Sequence, residues 1–396
     1  MNRVDPNFKE KLAPFGIGKW NECFHCGNCT AICPLSENGH LFPQKGIRAM
    51  QMGLKNSVDR SLDPWLCYYC GECSETCPRD ANPGELMMTL RRYLTSVYDW
   101  TGISKLFYTH KIWELLFILI FAVTIVILFA VFLPPNPDLF THPDAFINEQ
   151  GGVMINSLSA GLGNHEFLNI IETGDLLMAL TIGLLLISNI LRMWYKVILS
   201  DNTIRVPFTA YFTEFWKLIF HFGVQPRFSK CEDKKYWSGH FLLMSGYTIM
   251  FILIVALLPK FQIEEITPWY HWQRLLGYYA TFGILLFLVN VFIRRLKKDD
   301  IKLKFSHPSD WLFIVMLFLT TVTGILIHIS RLNGLPLATY YLYVAHLAIL
   351  VPMLVIEVPF SKWSHLAYRP FAIYFSGLKK AAGEERVSLQ LATAKK

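Results

Sequence analysis

The hydrophobic pattern divides the chain at about residue 110 into two parts of different character. In the first part, charged residues, turn-forming pairs such as Asn38-Gly39 and Pro83-Gly84, and short amphipathic segments follow one another without strand-like alternation. The run that opens at Gly84 and reaches Tyr98 predicts a helix. We therefore expect the first part, the head, to be largely helical.

The second part contains six apolar segments, each long enough to cross a bilayer, which takes about 20 residues. Buried helices of a large soluble protein are a poor alternative, because six such runs in about 250 residues leave too little polar surface to cover them. We predict an all-α protein with a helical head and six membrane spans. The predicted spans are Ile112–Leu133, Leu176–Leu199, Phe241–Leu258, Leu275–Ile293, Trp311–Ile329 and Tyr340–Phe360.

Composition agrees with a membrane protein. Charged residues make up 17% of the 396 residues, whereas soluble globular chains carry about a quarter. The domain boundaries that we expect are 1–105 for the head, 106–370 for the membrane domain and 371–396 for a cytoplasmic tail.

The basic residues lie almost entirely on one side of the predicted spans. Of 37 lysines and arginines, 34 fall in the head, after the sixth span, or in the regions after the second and fourth spans. The connection from Pro134 to Asp175 has none and carries six acidic residues. By the positive-inside rule, we expect an inner-membrane protein with both termini in the cytoplasm. The net charge of +7 is therefore explained by the orientation of the chain in the membrane, and we expect no nucleic-acid binding.

Eight of the nine cysteines lie between residues 23 and 77. Met1 to Trp20 has no apolar stretch of the signal-peptide type. We therefore expect the head to stay in a reducing compartment, where clustered thiols are metal ligands rather than disulfides.

The cysteines form two copies of the Cys-x2-Cys-x2-Cys-x3-Cys-Pro run that binds [4Fe–4S] clusters in two-cluster ferredoxins. Three thiolates hold one face of a cluster, and the fourth cysteine reaches the other cluster. Structural zinc is the weaker alternative, because it needs four ligands and no third cysteine at this spacing. The predicted ligand sets are Cys23, Cys26, Cys29 and Cys77 for one cluster, and Cys67, Cys70, Cys73 and Cys33 for the other. Cys231 is interpreted as an unpaired thiol in a basic loop.

Four histidines lie in or near the predicted spans, where ionisable groups are costly and usually functional. They are His240, His271, His328 and His346. A single such histidine forms a hydrogen bond to a neighbouring helix as often as it binds haem. Several of them beneath an iron–sulfur head favour b-type haem held between helices. We treat the remaining loop and interface histidines as surface residues: His110, His142, His165, His221, His307 and His365. Because no flavin or nucleotide motif is evident, the plausible small-molecule substrate is a membrane quinone.

Two family resemblances follow from these motifs. The segments CFHCGNCTAICP and CYYCGECSETCP resemble the small iron–sulfur subunit of heterodisulfide reductase. YVAHLAILVPMLVIEVPFSKWSHLAYRP is similar to the last span of the cytochrome b subunit of respiratory nitrate reductase, and RFSKCEDKKYWSGHFLLMSGY to the entry of its haem-partner span. The resemblance implies that His346 and His240 bind the inner haem. Met250 occupies the place where that span normally has a second histidine for an outer haem.

The fusion of both modules resembles the membrane subunit of the quinone-interacting membrane-bound oxidoreductases of sulfate reducers. The resemblance implies one or two b haems, menaquinone as substrate, two soluble flavin and iron–sulfur partner subunits, and electron exchange with adenylylsulfate reductase. His328 with His271, or with Met250, would hold an outer haem. Tyr270, His271 and Arg274 are candidates for contacting quinone, although an aromatic belt has the same composition.

Three functions remain open at this point. The leading hypothesis is a quinone-linked electron-transfer subunit, either of that complex or of a heterodisulfide reductase-like one. The second is a structural anchor whose histidines bind no haem, and the third is a membrane redox sensor. No Cys-Cys pair occurs, which argues against a catalytic disulfide-reductase subunit.

Overall fold

The computed structural model describes residues 4–16, 19–36, 42–160, 167–257, 260, 263–298 and 300–394, with the backbone alone for 111 and 384–394. Within these ranges the regular elements are helices, and two isolated β-bridges occur in the connection after the first span. The prediction of an all-α protein is therefore confirmed.

The described residues of the head form eight α-helices, most of them short, and two 3-10 helices, Ala13–Phe15 and Trp20–Glu22. The α-helices are α1 (Phe8–Leu12), α2 (Asn28–Ile32), α3 (Gln44–Gln51), α4 (Lys55–Asp59), α5 (Asp63–Leu66), α6 (Glu72–Glu75), α7 (Pro83–Tyr98) and α8 (Ile103–Thr109). α7 begins where the sequence predicts, because the Asn82 side chain accepts a hydrogen bond from the Glu85 amide and Pro83 occupies the first turn.

The core of the head extends into the membrane part. Leu86, Leu90 and Leu94 of α7 are at most 1% exposed and pack with apolar side chains of α1 and α3. The same cluster includes Met193 from the end of the second span and Tyr368 from the helix that follows the sixth. Burial of this joint apolar surface stabilises the attachment of the head to the bundle.

Six helices are long and apolar enough to cross a membrane, as predicted. Their bounds are Ile112–Phe132, Phe167–Leu199, Lys234–Val255, Trp272–Lys297, Pro308–Leu332 and Pro336–Phe360. In the most apolar stretch of the first span only 11% of the residues are buried. Its outward side chains, such as Ile120 and Val131, are more than half exposed, which suits contact with lipid.

Among the described residues of the membrane part, two long helices lie outside the spans, besides the four-residue helices Asp138–Thr141 and Ile301–Lys304. Phe208–Val224 connects the second and third spans and exposes an aromatic face that includes Phe212 and Trp216. Its other face contacts the helix His365–Ala394, where the Tyr374 hydroxyl donates to the Tyr211 carbonyl at 3.0 Å. The helix His365–Ala394 in turn packs on the head, with the rings of Tyr368 and Trp65 at 4.8 Å.

A buried ionic network also joins the head to the bundle. Arg92 of α7 pairs with Glu85 at 2.9 Å and with Asp310, at the start of the fifth span, at 3.4 Å. Lys362 pairs with the other oxygen of Asp310 at 2.5 Å. Such groups are stable in a low-dielectric interior only when paired, so the network fixes the position of α7 over the fifth and sixth spans.

Candidate cluster and haem sites

The two cysteine motifs fold into the same local conformation. In each motif the second residue after the first cysteine, His25 or Tyr69, has positive φ. A glycine then follows the second cysteine, again with positive φ, and starts a short helix: Gly27 before α2 and Gly71 before α6. Glycine adopts this backbone conformation without strain. Each motif therefore turns back on itself, so that its first three thiols can face a common point.

The fourth cysteine of each motif lies with the other motif. Cys33 lines one cavity with the three thiols of the second motif, which are Cys67, Cys70 and Cys73. Cys77 lies close enough to Cys29 to interact electrostatically with it, as do Cys23 and Cys26. These groupings are the two crossed sets that the spacing predicts.

The surroundings of these thiols favour the protonated form, a preference that a bound metal cation would reverse. Burial, with the neighbouring thiols of Cys67 and Cys70, raises the pKa of Cys33 to about 12. Burial also raises the pKa of Cys73 well above its usual range. Thiolate is the form that binds iron, and a bound cation offsets both the desolvation and the mutual repulsion. Cys67 also accepts a hydrogen bond from the Tyr69 amide at 3.3 Å, the kind of contact that stabilises cluster-bound sulfur.

The two sites differ in exposure. In the first motif Cys26 is exposed, and Phe24 and Ile32 beside it are 60% and 42% exposed. In the second motif Cys67 and Tyr68 are buried against the membrane part. One site therefore lies near the surface of the head, and the other faces the bundle.

The helix after the sixth span holds the second motif from the membrane side. The Arg369 guanidinium lies 3.8 Å from the centre of the Tyr68 ring and donates to the Cys67 carbonyl at 3.1 Å. Arg91 of α7 donates to the same carbonyl at 2.6 Å. Two cations therefore lie next to a motif that would carry negatively charged thiolates.

An aromatic contact connects the second motif to a predicted haem ligand. The ring of Tyr68 stacks on Phe228 with centroids 4.9 Å apart and planes inclined by 14°. Phe228 in turn meets the His240 ring edge-on at 5.4 Å. His240 lies in the first turns of the third span, and its Nδ1 is 3.0 Å from Gln225 Oε1. A continuous series of rings thus runs from the second cysteine motif to His240.

Cys231 is a free thiol, in agreement with its interpretation, but it lies beside the second cysteine motif. Cys231 is 1% exposed. The sulfurs of Cys70 and Cys231 and a carboxylate oxygen of Glu72 all lie within 4.8 Å of one another. Sequence reasoning missed this contact because the spacing of the motifs says nothing of a loop more than 150 residues away.

His240 and His346 share the way in which their imidazole Nδ1 atoms are held. His346 lies in the middle of the sixth span, and its Nδ1 is 2.8 Å from the Thr323 hydroxyl. Gly324 of the fifth span lies beside the imidazole, since a Cβ there would be at an ordinary contact distance of 3.4 Å from His346 Cε1. In both histidines Nδ1 is held by a polar partner, which leaves Nε2 as the nitrogen that could bind iron, the usual arrangement for a metal-bound imidazole.

The two histidines predicted to hold an outer haem, His328 and His271, differ from the inner pair in their hydrogen bonds. His328 uses Nε2 in a contact of 2.9 Å with the Tyr278 hydroxyl, so this hydrogen bond must break before Nε2 can bind iron. His271 precedes the fourth span, and its buried Nδ1 is without a partner among the described residues. Met250 lies half-buried in the third span.

Of the histidines treated as surface residues, His307 is buried, contrary to expectation. It is 8% exposed, and its Nδ1 caps the fifth span by accepting from the Ser309 amide at 3.3 Å. Burial lowers the pKa of His307 to about 4, with neighbouring Arg92 as the next cause. His110 and His142 are exposed as expected, and His165 lies outside the described residues.

Comparison with known proteins identifies the head. Residues 19–81 match the family model described as a 4Fe-4S dicluster domain. A protein of Archaeoglobus profundus, described as similar to the C subunit of heterodisulfide reductase, is 34% identical over 96 residues, which are 24% of this chain and 51% of that protein. The chain thus spans about half the length of this relative. No solved structure matches the chain significantly.

Proposed function

We propose that the protein is a membrane-bound electron-transfer subunit that links menaquinone, through b-type haem and two [4Fe–4S] clusters, to soluble partner subunits. A dicluster domain in front of six apolar helices already supports an iron–sulfur redox role in a membrane protein. The observation that carries the finer proposal is the ring series from Tyr68 through Phe228 to His240. It brings a predicted haem ligand close to a cluster motif.

The residues of the chain have separate roles in this proposal. The crossed cysteine sets hold the clusters, and His240 and His346 hold the inner haem through Nε2. Clusters and haem accept and release single electrons when bound. Arg369 and Arg91 lie beside the Cys67 motif and offset the negative charge of its thiolates.

The exposure of the two motifs suggests the order of the route. The motif of Cys67 is buried against the bundle and would exchange electrons with the haem side. The motif of Cys23 lies at the surface beside exposed Phe24 and Ile32, which suits a soluble partner that docks there. By the resemblance, this partner is one of two flavin and iron–sulfur subunits, with adenylylsulfate reductase downstream.

The distribution of basic residues supports a head in the cytoplasm and a chain in the inner membrane. Quinone would then reach the spans from the lipid. The end of the fourth span that lies away from the head, with exposed Tyr270 beside His271, is where we propose that quinone contacts the protein.

A reduced-minus-oxidised visible spectrum of the purified chain tests the proposal. We expect the α-band of a b-type cytochrome together with broad cluster bleaching, and reduction of both by a menaquinol analogue. A chain with full iron but no haem band would instead favour a structural anchor or a redox sensor.

A second candidate is the corresponding subunit of a heterodisulfide reductase-like complex, which the similarity to the Archaeoglobus profundus protein favours. The two candidates share the electron route and differ in the soluble partner. Co-purification from the native membrane distinguishes them: either flavin subunits come with adenylylsulfate reductase activity, or a disulfide-reducing subunit is found.

A further inference from the structure

Cys231 touches the second cysteine motif from outside the cavity that the four predicted ligands line. The cavity wall includes Cys33, Cys67, Cys70 and Cys73. Cys231 approaches Cys70 from the loop before the third span, is 1% exposed, and its sulfur lies within 4.8 Å of the Cys70 sulfur. It is therefore adjacent to one ligand of a complete set of four.

The loop that carries Cys231 is fastened to the head on both sides of the thiol. On one side, the Glu232 amide donates to a carboxylate oxygen of Glu72 at 3.0 Å. On the other, the Phe228 ring stacks on Tyr68. Both partners belong to the second motif or to the helix that it starts, so the position of Cys231 relative to Cys70 is set by two independent contacts.

We infer that the Cys231 thiol is a positioning residue that donates a hydrogen bond to the Cys70 thiolate and raises the reduction potential of the cluster held by the second motif. The inference rests on the proposed function, since it requires that cluster. It assigns Cys231 no ligand role.

The direction of the change in reduction potential follows from the charge of the cluster. Reduction adds an electron to the cluster and makes its sulfurs more negative, so a hydrogen-bond donor stabilises the reduced state more than the oxidised one. Hydrogen bonds to the sulfurs are one of the main determinants of cluster potential. A neutral thiol has one S–H to donate. A variant without a donor should therefore make the cluster harder to reduce.

Redox titration of the full-length chain, followed by electron paramagnetic resonance, provides the test. Cys231→Ala and the bulkier Cys231→Val lack a donor, whereas Cys231→Ser keeps one. We expect all three to retain the iron content of the unmodified chain. The alanine and valine variants should shift one cluster to a lower midpoint potential, and the serine variant should shift it less.

The first motif offers a matched control. Thr30 directly follows Cys29, a predicted ligand of the other cluster, so Thr30→Val removes a hydroxyl donor from beside that site. It should lower the midpoint potential of the other cluster and leave the Cys231-sensitive one unchanged.

Several results would overturn the inference. One is that the alanine and valine variants keep the midpoint potential of the unmodified chain. Another is that the serine variant lowers the midpoint potential as much as alanine and valine do. A third is loss of iron in all three variants, which would make Cys231 a ligand. Failure of the proposed function looks different, because the unmodified chain itself would then lack the second cluster signal or the haem band.

Discussion

Arg92 in the head donates a hydrogen bond to the Asp310 carboxylate at the start of the fifth span, at 3.4 Å, with both side chains 6% exposed. Glu85 and Lys362 complete the network, at 2.9 Å from Arg92 and 2.5 Å from Asp310 respectively. The positive charge that the head contributes and the negative charge that the bundle contributes can therefore stay buried only because each is paired with the other. The network therefore holds the cluster motifs at a fixed place above the spans.

Asp310→Asn should loosen this junction. The substitution removes one charge from a buried network, so that Lys362 loses its carboxylate partner and Arg92 keeps only Glu85. Breaking a buried pair in this way typically costs about 3–5 kcal/mol. We expect cluster absorbance to be lost at a lower temperature on heating. Asp80→Asn is the control, because Asp80 pairs with Lys19 at the exposed surface of the head, where a pair contributes little. Equal thermal loss in both variants would contradict a structural role for the junction.

Much of the fold follows from the apolar pattern, but the helix ends do not. The second span is already helical at Phe167, where the described residues resume, nine residues before the predicted Leu176. Glu172 and Asp175 interrupt the apolar run there without interrupting the helix, since backbone hydrogen bonds continue beyond the apolar core. The third span begins earlier than predicted because the Asp233 side chain caps it by accepting from the Tyr236 amide.

Within the candidate site, the spacing of the cysteine motifs predicts those features that lie in the motifs themselves. The turns at Gly27 and Gly71 and the crossed fourth cysteines follow from a pattern within one segment. The contact of Cys231 with Cys70, and the position of Phe228 between Tyr68 and His240, depend on how a distant loop packs on the head. Sequence periodicity carries no information about such packing.

Removing one fourth cysteine should damage the cluster of the other motif. Cys77→Ala should reduce bound iron from about eight atoms per chain to about four and spare the cluster of Cys67. Cys33→Ala should do the reverse, which makes the two variants controls for each other. Iron analysis with electron paramagnetic resonance reads out both. Stoichiometric zinc with little iron in the unmodified chain would refute the cluster assignment.

The membrane orientation is tested by reporter fusions. A reporter after Lys396 should be active on the cytoplasmic face, and one within the connection from Pro134 to Asp175 on the outer face. The reason is that 34 of 37 basic residues lie on the head side of the spans. The opposite pattern would mean that the head faces outward.

Phe228→Leu tests the ring series between head and bundle. Leucine keeps most of the volume but removes the ring that contacts Tyr68 and His240. We expect normal haem and iron contents, normal haem reduction by a menaquinol analogue, and slower reduction of the clusters after it in stopped-flow absorbance. Phe215→Leu, on the half-exposed face of the connecting helix, serves as the control. Unchanged cluster reduction would show that electrons take another route.

The two haem sites are tested at their proposed ligands, beginning with the inner one. Either His240→Ala or His346→Ala should remove the same component of the reduced-minus-oxidised spectrum, because a b-type haem needs both axial imidazoles for its low-spin bands. The cluster signals should remain, since the cysteines belong to the head. Exposed His142→Ala is the control. Retention of the full spectrum in either ligand variant would remove that histidine from the assignment.

The same spectra test the outer haem. If His328 and His271 are its ligands, alanine at either position should abolish the same spectral component. Ligation through Nε2 requires His328 to give up its contact with the Tyr278 hydroxyl, so Tyr278→Phe should leave that component in place. Two imidazoles hold ferric haem better than an imidazole with a thioether, which favours His271 over Met250. If His271→Ala keeps the full haem content while Met250→Ala shifts the potential of one haem, the ligand is Met250.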